Sequence, residues 1–203
     1  MARPTDEKRP QELCAAIVQY LIRRGLIGLS LRPLARALGC TPRVLLYHFG
    51  SKERMVVEVL AQVRQRQRAA YGQIEGASFG DACHTIWKRM TAPDSEPLFR
   101  LFFETYGMAL RQPRLYKAFL DDTIEDWLDL ISSDFGPDPK QRHQARVFAT
   151  VVLAGLRGFM LDFCATHDRK RLDRAVKLWL GSLQPMLSAI KAFPKPCLSR
   201  ATP

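Results

Sequence analysis

A short segment near the amino end of this sequence concentrates side chains that can hydrogen-bond to a nucleic acid. It is LSLRPLARALGCTPRVLLYHFGSKE, residues 29–53. A guanidinium group can bridge guanine O6 and N7, whereas hydroxyl, imidazole and ammonium donors suit phosphate oxygens. These residue types therefore predict contact with duplex DNA. The candidate DNA-contact residues are Arg32, Thr41, Pro42, Arg43, Val44, Leu46, Tyr47, His48 and Lys52.

The candidates divide by the part of the DNA that each could contact. We expect Arg43 first, and Arg32 second, to read base edges. The candidates for thymine methyl groups are Pro42 and Val44. Phosphate contacts are expected from Thr41, Tyr47, His48 and Lys52. Lys52 also stands at a helix N-terminus, whose free amides attract a phosphate. Alternatively, Tyr47 could fill the core and His48 could support the following helix.

A helix with an apolar face is predicted to begin this segment. Ser30 is a favourable N-cap residue. The apolar residues that follow share one helical face and are Leu31, Leu34, Ala35 and Leu38. Gly39 ends the helix, because glycine adopts the left-handed conformation without steric cost.

A second short helix follows the glycine turn. Thr41 is its predicted cap, and Pro42 suits its first turn, where the missing N–H loses no hydrogen bond. Leu45 and Phe49 stand four residues apart and face inward, which leaves the polar and aromatic groups outside. Gly50 closes the helix. Two short helices in this arrangement predict a helix-turn-helix, with the second helix in the DNA major groove.

The segment GCTPRVLLYHFGSKE resembles the DNA-binding domain of the TetR family of bacterial transcriptional repressors, over about residues 10 to 60. The resemblance implies a homodimeric repressor on a near-palindromic double-stranded DNA operator, a C-terminal domain that binds a small hydrophobic effector, and release of DNA by that effector. It also implies base contact from Arg32. One position departs from the family pattern: Leu46 stands where the family usually has Tyr. The phosphate contact from that position is then absent or is made by Tyr47.

The charge distribution agrees with a DNA-binding amino end. The chain of 203 residues has a net charge of +11. Residues 1–71 hold 13 Lys and Arg against 5 Asp and Glu, whereas residues 72–203 hold 18 against 15. The basic excess therefore lies with the helix-turn-helix, as a polyanion-binding surface requires.

Cysteine usage and the apolar runs predict a cytoplasmic, nucleoid-associated protein. Five cysteines show no CxxC pairing, and the first ten residues have no apolar signal core. The longest uncharged apolar run, 147–156, is too short to cross a bilayer, so no membrane contact is expected. We also expect no cofactor and no metal.

The whole chain is predicted to be all-α, because no alternating strand pattern occurs. The predicted organisation is a helix-turn-helix domain at 1–52, a connecting helix and boundary at 53–76, a helical ligand-binding and dimerisation domain at 77–193, and a flexible tail at 194–203. The predicted helices cover about 11–24, 51–71, 79–90, 98–111, 113–135, 140–166 and 172–191, besides the two of the helix-turn-helix.

The last two helices are predicted to form a homodimer as a four-helix bundle. The final helix has apolar residues at alternating spacings of four and three, and its partner is apolar on more than one face. The alternative is a monomer with a thick core. The predicted interface residues are Val151, Gly155, Gly158, Leu172, Val176, Trp179, Leu183, Met186 and Ile190.

Aromatic side chains at helical spacing in the C-terminal part are candidates for an effector pocket, although such stripes also occur in ordinary cores. The candidates are Trp87, Met90, Phe102, Phe103, Tyr106, Trp127, Phe159 and Phe163. Such a lining would suit a flat or aliphatic ligand.

Two other functions remain open on the sequence. One is a DNA-binding regulator without a small-molecule ligand. The other is an all-α enzyme that uses the carboxylates of Asp121, Asp122, Glu125 and Asp126, because DDTIED resembles the metal-binding DDxxD motif of prenyl-diphosphate enzymes. No second acidic motif balances this one. The pairs Cys83-His84 and Cys164…His167 each offer two ligands, where tetrahedral zinc wants about four.

Overall fold

A computed structural model describes residues 8–72, 78–133, 135–136 and 138–192. In these residues the chain forms nine α-helices and no strand, so the predicted all-α class is confirmed. The helices are α1 (Lys8–Arg24), α2 (Leu31–Ala37), α3 (Pro42–Phe49), α4 (Lys52–Gly72), α5 (Phe79–Met90), α6 (Glu96–Arg111), α7 (Lys117–Ser132), α8 (Pro139–Thr166) and α9 (Arg169–Lys191).

The chain divides into two compact units that are not contiguous in sequence. The first unit holds Met1–Tyr71 and Ala92–Thr123, and the second holds Gly72–Thr91 and Ile124–Pro203. Helix α6 and the beginning of α7 thus pack with the amino-terminal helices. The predicted domains 1–52, 53–76 and 77–193 are contiguous segments, whereas these units are not. The predicted domain boundaries therefore stay a prediction. The predicted tail 194–203 lies outside the described residues.

One hydrophobic cluster holds the first unit together. Helix α1 contributes Ile17 and Leu21, and α4 contributes Met55 and Val59, all almost completely buried. Leu101 and Ala109 of α6 belong to the same cluster. Full burial of a side chain of this size stabilises a fold by about 1.5–3 kcal/mol. Helix α6 is therefore an integral part of the unit that carries the helix-turn-helix.

In the second unit, α9 packs against both α8 and α5. Trp87 of α5 is fully buried, with its ring edge-on to Phe159 and Phe163 of α8. The Trp87 indole N–H donates to Asp173 Oδ1 of α9 over 2.6 Å. This bond satisfies the one polar atom of a buried side chain, as buried indoles require.

The helix bounds differ from prediction mainly around α7. The predicted helix at 113–135 begins instead at Lys117, because Pro113 lies in the turn that follows α6. The first turn of α6 begins at Glu96 and includes Pro97, which fits a first turn because it needs no N–H partner there. Helix α9 continues through Pro185.

Helix α8 is the one helix in the described ranges that is long and apolar enough to cross a membrane by length and composition. That is weak evidence for a membrane span, because the core helix of a water-exposed protein passes the same test. One side of α8 is buried in the second unit through residues such as Phe148, Val152 and Met160.

Candidate nucleic-acid interface

Helices α2 and α3 form the predicted helix-turn-helix within the first unit. Helix α2 buries Leu34 and Ala35 and ends at Ala37; Leu38 is its C-cap, and Gly39 follows with φ +65°. A side chain at this φ would be strained, so the glycine is required by the backbone. The predicted stop at Gly50 is also confirmed, with φ +73° after α3.

The N-cap residues of these two helices are the predicted ones. Ser30 and Thr41 stand at the N-cap positions with extended backbone, but neither side chain makes a capping hydrogen bond. Their carbonyl groups instead accept from the first turn: Val44 N–H bonds to Thr41 O at 3.0 Å, and Leu34 N–H bonds to Ser30 O at 3.4 Å. The exposed Thr41 hydroxyl is therefore left available to an outside acceptor.

The two sides of α3 are sharply different. Leu45 and Phe49 are buried in the first unit, as predicted. Tyr47 is 84% exposed, so the alternative that Tyr47 fills the core is wrong. Arg43 and His48 are also exposed. The buried pair fixes the rotation of the helix, and this rotation turns the hydrogen-bonding side chains outward together.

The remaining candidates lie on or beside the same surface. Val44 and Leu46 are 39% and 42% exposed, and Arg32 at the start of α2 is exposed. Pro42 is half-buried. Lys52 is half-buried: its Nζ donates to Leu29 O at 3.5 Å and lies 4.0 Å from Glu53. Lys52 thereby ties the start of α4 to the segment before α2 while part of its ammonium group stays exposed.

An open pocket with a volume of about 860 Å³ lies beside the turn of the helix-turn-helix. Five of the predicted DNA contacts line it. Its complete lining is Glu12, Leu13, Ala16, Leu38, Gly39, Cys40, Thr41, Arg43, Val44, Tyr47 and His48. The contribution of α1 was not foreseen from the sequence, since no polar pattern in α1 marks it. A curved surface with hydroxyl, imidazole and guanidinium donors can follow a DNA strand.

The comparison with family models decides the classification. Residues 13–59 match the model described as "Bacterial regulatory proteins, tetR family". This segment is therefore a DNA-binding domain of the TetR type. The match spans most of α1, all of α2 and α3, and the first part of α4, and it includes the helix-turn-helix. The protein is a DNA-binding transcriptional regulator. The comparison with curated proteins finds no significant match.

Solved structures share the fold over most of the chain. A transcriptional regulator from Rhodococcus sp. Rha1 is 20% identical, with 91% of this chain and 99% of that chain covered and a TM-score of 0.72. The multidrug binding protein EbrR, complexed with imidazole, is 21% identical over 90% and 93% of the chains, with a TM-score of 0.69. NalD, the secondary repressor of the MexAB-OprM multidrug efflux pump in Pseudomonas aeruginosa, is 19% identical over 90% and 95%, with a TM-score of 0.59.

The predicted effector-pocket residues fall into two groups. Phe102, Phe103 and Tyr106 belong to the first unit, where Phe102 contacts both other rings and Phe119. The other group belongs to the second unit and consists of Trp87, Met90, Trp127, Phe159 and Phe163. Within that group Trp87, Met90 and Phe163 are buried. The predicted effector site therefore stays a prediction.

The predicted dimer surface needs a correction on α9. Leu172, Val176, Leu183 and Ile190 are all buried within the single chain, because the alternating seam of α9 is its core face against α5 and α8. They offer no surface to a partner. Gly155 is also engaged within the chain, because Trp179 of α9 lies against it.

Helix α8 has an apolar stripe that the single chain leaves exposed and that a second copy could cover. Val147, Val151 and Leu161 are 50%, 36% and 53% exposed, and the small residues Ala154 and Gly158 are exposed between them. Their spacing of four, three, four and three places them on one helical face. On α9, the exposed large apolar residues are Leu178 and Met186. Leu178 and the ends of the α8 stripe were not among the predicted interface residues.

The acidic residues of α7 are held by basic side chains. Arg64 of α4 lies 3.3 Å from Asp122, and Arg146 of α8 pairs with both Glu125 and Asp129. Lys117 pairs with Asp121. No group of three or more His, Cys, Asp or Glu side chains in the described residues could hold a metal ion. The row therefore serves as a set of ion pairs on the wet face of α7.

Glu104 is a further residue of the first unit that was not among the predicted functional residues. Its carboxylate accepts a hydrogen bond from Leu26 N–H at 2.8 Å, just beyond the end of α1, and lies beside Gly25, which has φ +70°. The bond attaches α6 to the loop between α1 and α2. Its signal in the sequence is slight: Glu104 is the one acidic residue within the apolar run LFFETYG.

Proposed function

We propose that this protein is a dimeric transcriptional repressor that binds a near-palindromic operator and is released by a small hydrophobic effector. The observation that carries the DNA-binding part is the division of α3, with Leu45 and Phe49 buried and Arg43, Tyr47 and His48 exposed. An 8-residue helix with this outer surface fits the major groove, which is about 12 Å wide.

Arg43 is the proposed base-reading residue. It is the second residue of α3, and the amino-terminal residues of a recognition helix are those that contact base edges. The proposed phosphate contacts are Thr41, Tyr47, His48 and Lys52. Pro42 and Val44 supply apolar contact, and Arg32 reads a second base position from α2.

Homodimerisation is proposed through the exposed stripe of α8 and the exposed residues Leu178 and Met186 of α9. A five-residue apolar stripe in a single chain supports this, because water-exposed apolar stripes of this kind mark protein interfaces. The two helix-turn-helix motifs of one dimer would contact half-sites spaced by about 34 Å or a multiple of it. The operator should then be a near-palindrome.

The effector is proposed to be a small hydrophobic molecule. The aromatic residues of α5 and α8 in the second unit support a site of that polarity, and two proteins with this fold are named for multidrug binding and for repression of a multidrug efflux pump. The protein would act in the cytoplasm, at the nucleoid. The second candidate is a regulator of the same DNA-binding kind without a ligand.

Footprinting on the DNA that flanks its own gene tests the proposal. The expected result is protection of a near-palindromic sequence, with two protected half-sites on one face of the helix. Addition of hydrophobic compounds should remove the protection. Protection that heparin competes away as readily as specific duplex would contradict sequence-specific binding. Protection that no compound removes would favour the regulator without a ligand.

A further inference from the structure

Helix α1 places one carboxylate on the surface that is proposed to contact DNA. Residues 8–52 hold eight Lys and Arg, and Glu12 is the one acidic residue among them. Glu12 nevertheless lines the same pocket as Arg43, Tyr47 and His48, beside the turn of the helix-turn-helix. It is exposed and has no hydrogen-bond or ion-pair partner among the described residues. The negative side chain of this basic segment therefore lies among the proposed DNA contacts.

The core of the first unit fixes the position of Glu12. Cys14 and Ile17, two and five residues further along α1, are 1% and 0% exposed and belong to the hydrophobic cluster. Leu13 packs against the same cluster and is partly buried. These residues hold one face of α1 inward, so that Glu12 is turned outward. The cluster also includes Leu45 of α3, so α1 and the recognition helix share one packed core.

A carboxylate beside a DNA strand opposes binding, because like charges repel. In water, a unit charge about 7 Å from one phosphate changes an equilibrium constant by about two- to threefold, and salt reduces this effect by screening. Glutamate can instead accept a hydrogen bond from cytosine N4 in the major groove. Glu12 lies on α1, outside the recognition helix α3, which favours repulsion of phosphates over contact with a base.

We propose that Glu12 limits the affinity of this protein for DNA, by repulsion of the phosphates that enter the pocket. The repulsion opposes the attraction from the cationic residues of the same surface, so the complex is weaker and more easily released than one with a purely basic surface. It acts on all duplex sequences alike, because phosphates carry no sequence information. This inference rests on the proposed DNA-binding function.

The test compares wild-type protein with Glu12→Gln, which removes the charge at nearly constant size, and with Glu12→Lys, which reverses it. The matched control is Glu58→Gln, which removes the same charge from an exposed residue of α4 in the same unit, outside the lining of the pocket. Affinity is measured by fluorescence anisotropy on the footprinted operator and on a scrambled duplex of equal length, over a range of salt concentrations.

Glu12→Gln should bind both duplexes about two- to threefold more tightly than wild type at low salt, and this gain should shrink as salt rises. Glu12→Lys should bind more tightly still, with a salt dependence steeper by about one unit, because lysine neutralises a phosphate. Glu58→Gln should bind as wild type does. All three variants should unfold near the wild-type temperature, because the substituted side chains are exposed.

Three results would overturn the inference. The first is affinity of Glu12→Gln equal to or below that of wild type. The second is a changed base preference in Glu12→Gln, which would show that Glu12 contacts a base. The third is an equal gain in Glu58→Gln, which would show a general effect of net charge. Wild-type protein that binds neither duplex would refute the proposed function itself, whereas these three results leave that function intact.

Discussion

Replacement of Gly155 by alanine should destabilise the second unit, although alanine normally stabilises a helix. A Cβ atom at Gly155 would lie 2.3, 2.6 and 2.9 Å from three atoms of the Trp179 ring. Carbon atoms approach comfortably to about 3.5–4.0 Å, so the ring must move by more than about 1 Å. The ring now packs edge-on against Phe159 at a centroid distance of 5.4 Å.

The expected size of the effect follows from three contributions. Overpacking costs about 1–3 kcal/mol. Disturbance of the Trp179–Phe159 pair costs up to about 0.5–1.5 kcal/mol. Replacement of a mid-helix glycine by alanine, taken alone, stabilises the helix by about 0.5–1 kcal/mol. The free energy of unfolding should therefore fall by about 1–3 kcal/mol, which lowers the Tm by about 2–4 °C for each kcal/mol.

Thermal unfolding followed by circular dichroism measures this effect. The matched control is Gly107→Ala in α6, where a Cβ meets nothing within 4 Å and the residue is exposed, so its Tm should rise slightly. In the background of Trp179→Leu, Gly155→Ala should become much less harmful. A Tm for Gly155→Ala at or above that of wild type would refute the close contact between α8 and α9.

Three further predictions concern the loop after α1, the proposed dimer surface and the buried thiols. Glu104→Ala should lower the free energy of unfolding by about 1.5–3 kcal/mol, because Leu26 N–H loses a charged acceptor; equal urea midpoints for variant and wild type would contradict this. Val151→Arg should shift the protein from dimer to monomer in light scattering, whereas Lys177→Ala, an exposed change on α9, should not; a Val151→Arg dimer would exclude the α8 stripe as the interface. Cys83, whose pKa burial raises to about 12, should resist alkylation at a pH of about 8 in the folded protein, whereas the half-buried Cys40 should react; peptide mapping that finds Cys83 modified at the rate of Cys40 would contradict its burial.

The short-range features of this fold could be predicted from the sequence. Glycines at 39 and 50 and the pair Leu45 and Phe49 define the helix-turn-helix, because backbone conformation and helical periodicity depend on near neighbours. The exposed surface of α3 follows from that periodicity. Ser30 and Thr41 take the predicted N-cap positions, although neither side chain makes a capping hydrogen bond.

Features that depend on long-range packing could not be predicted in this way. The apolar seam of α9 can bury itself against its own chain or against a second copy, and the same spacing serves both; the structure buries Leu172 and Ile190 within the chain. The inclusion of α6 in the first unit depends on contacts such as Glu104 to Leu26, which are 78 residues apart. No local pattern encodes such a pairing.

The most direct test of the central claim is the affinity of Arg43→Ala for the footprinted operator and for operators with single base-pair changes. The outer face of α3 reads the DNA in this account, so affinity should fall by about 1–3 kcal/mol and preference should relax at one base pair in each half-site. Arg24→Ala, with an exposed arginine at the end of α1, serves as the control and should bind as wild type does. Unchanged affinity and unchanged base preference in Arg43→Ala would contradict the account.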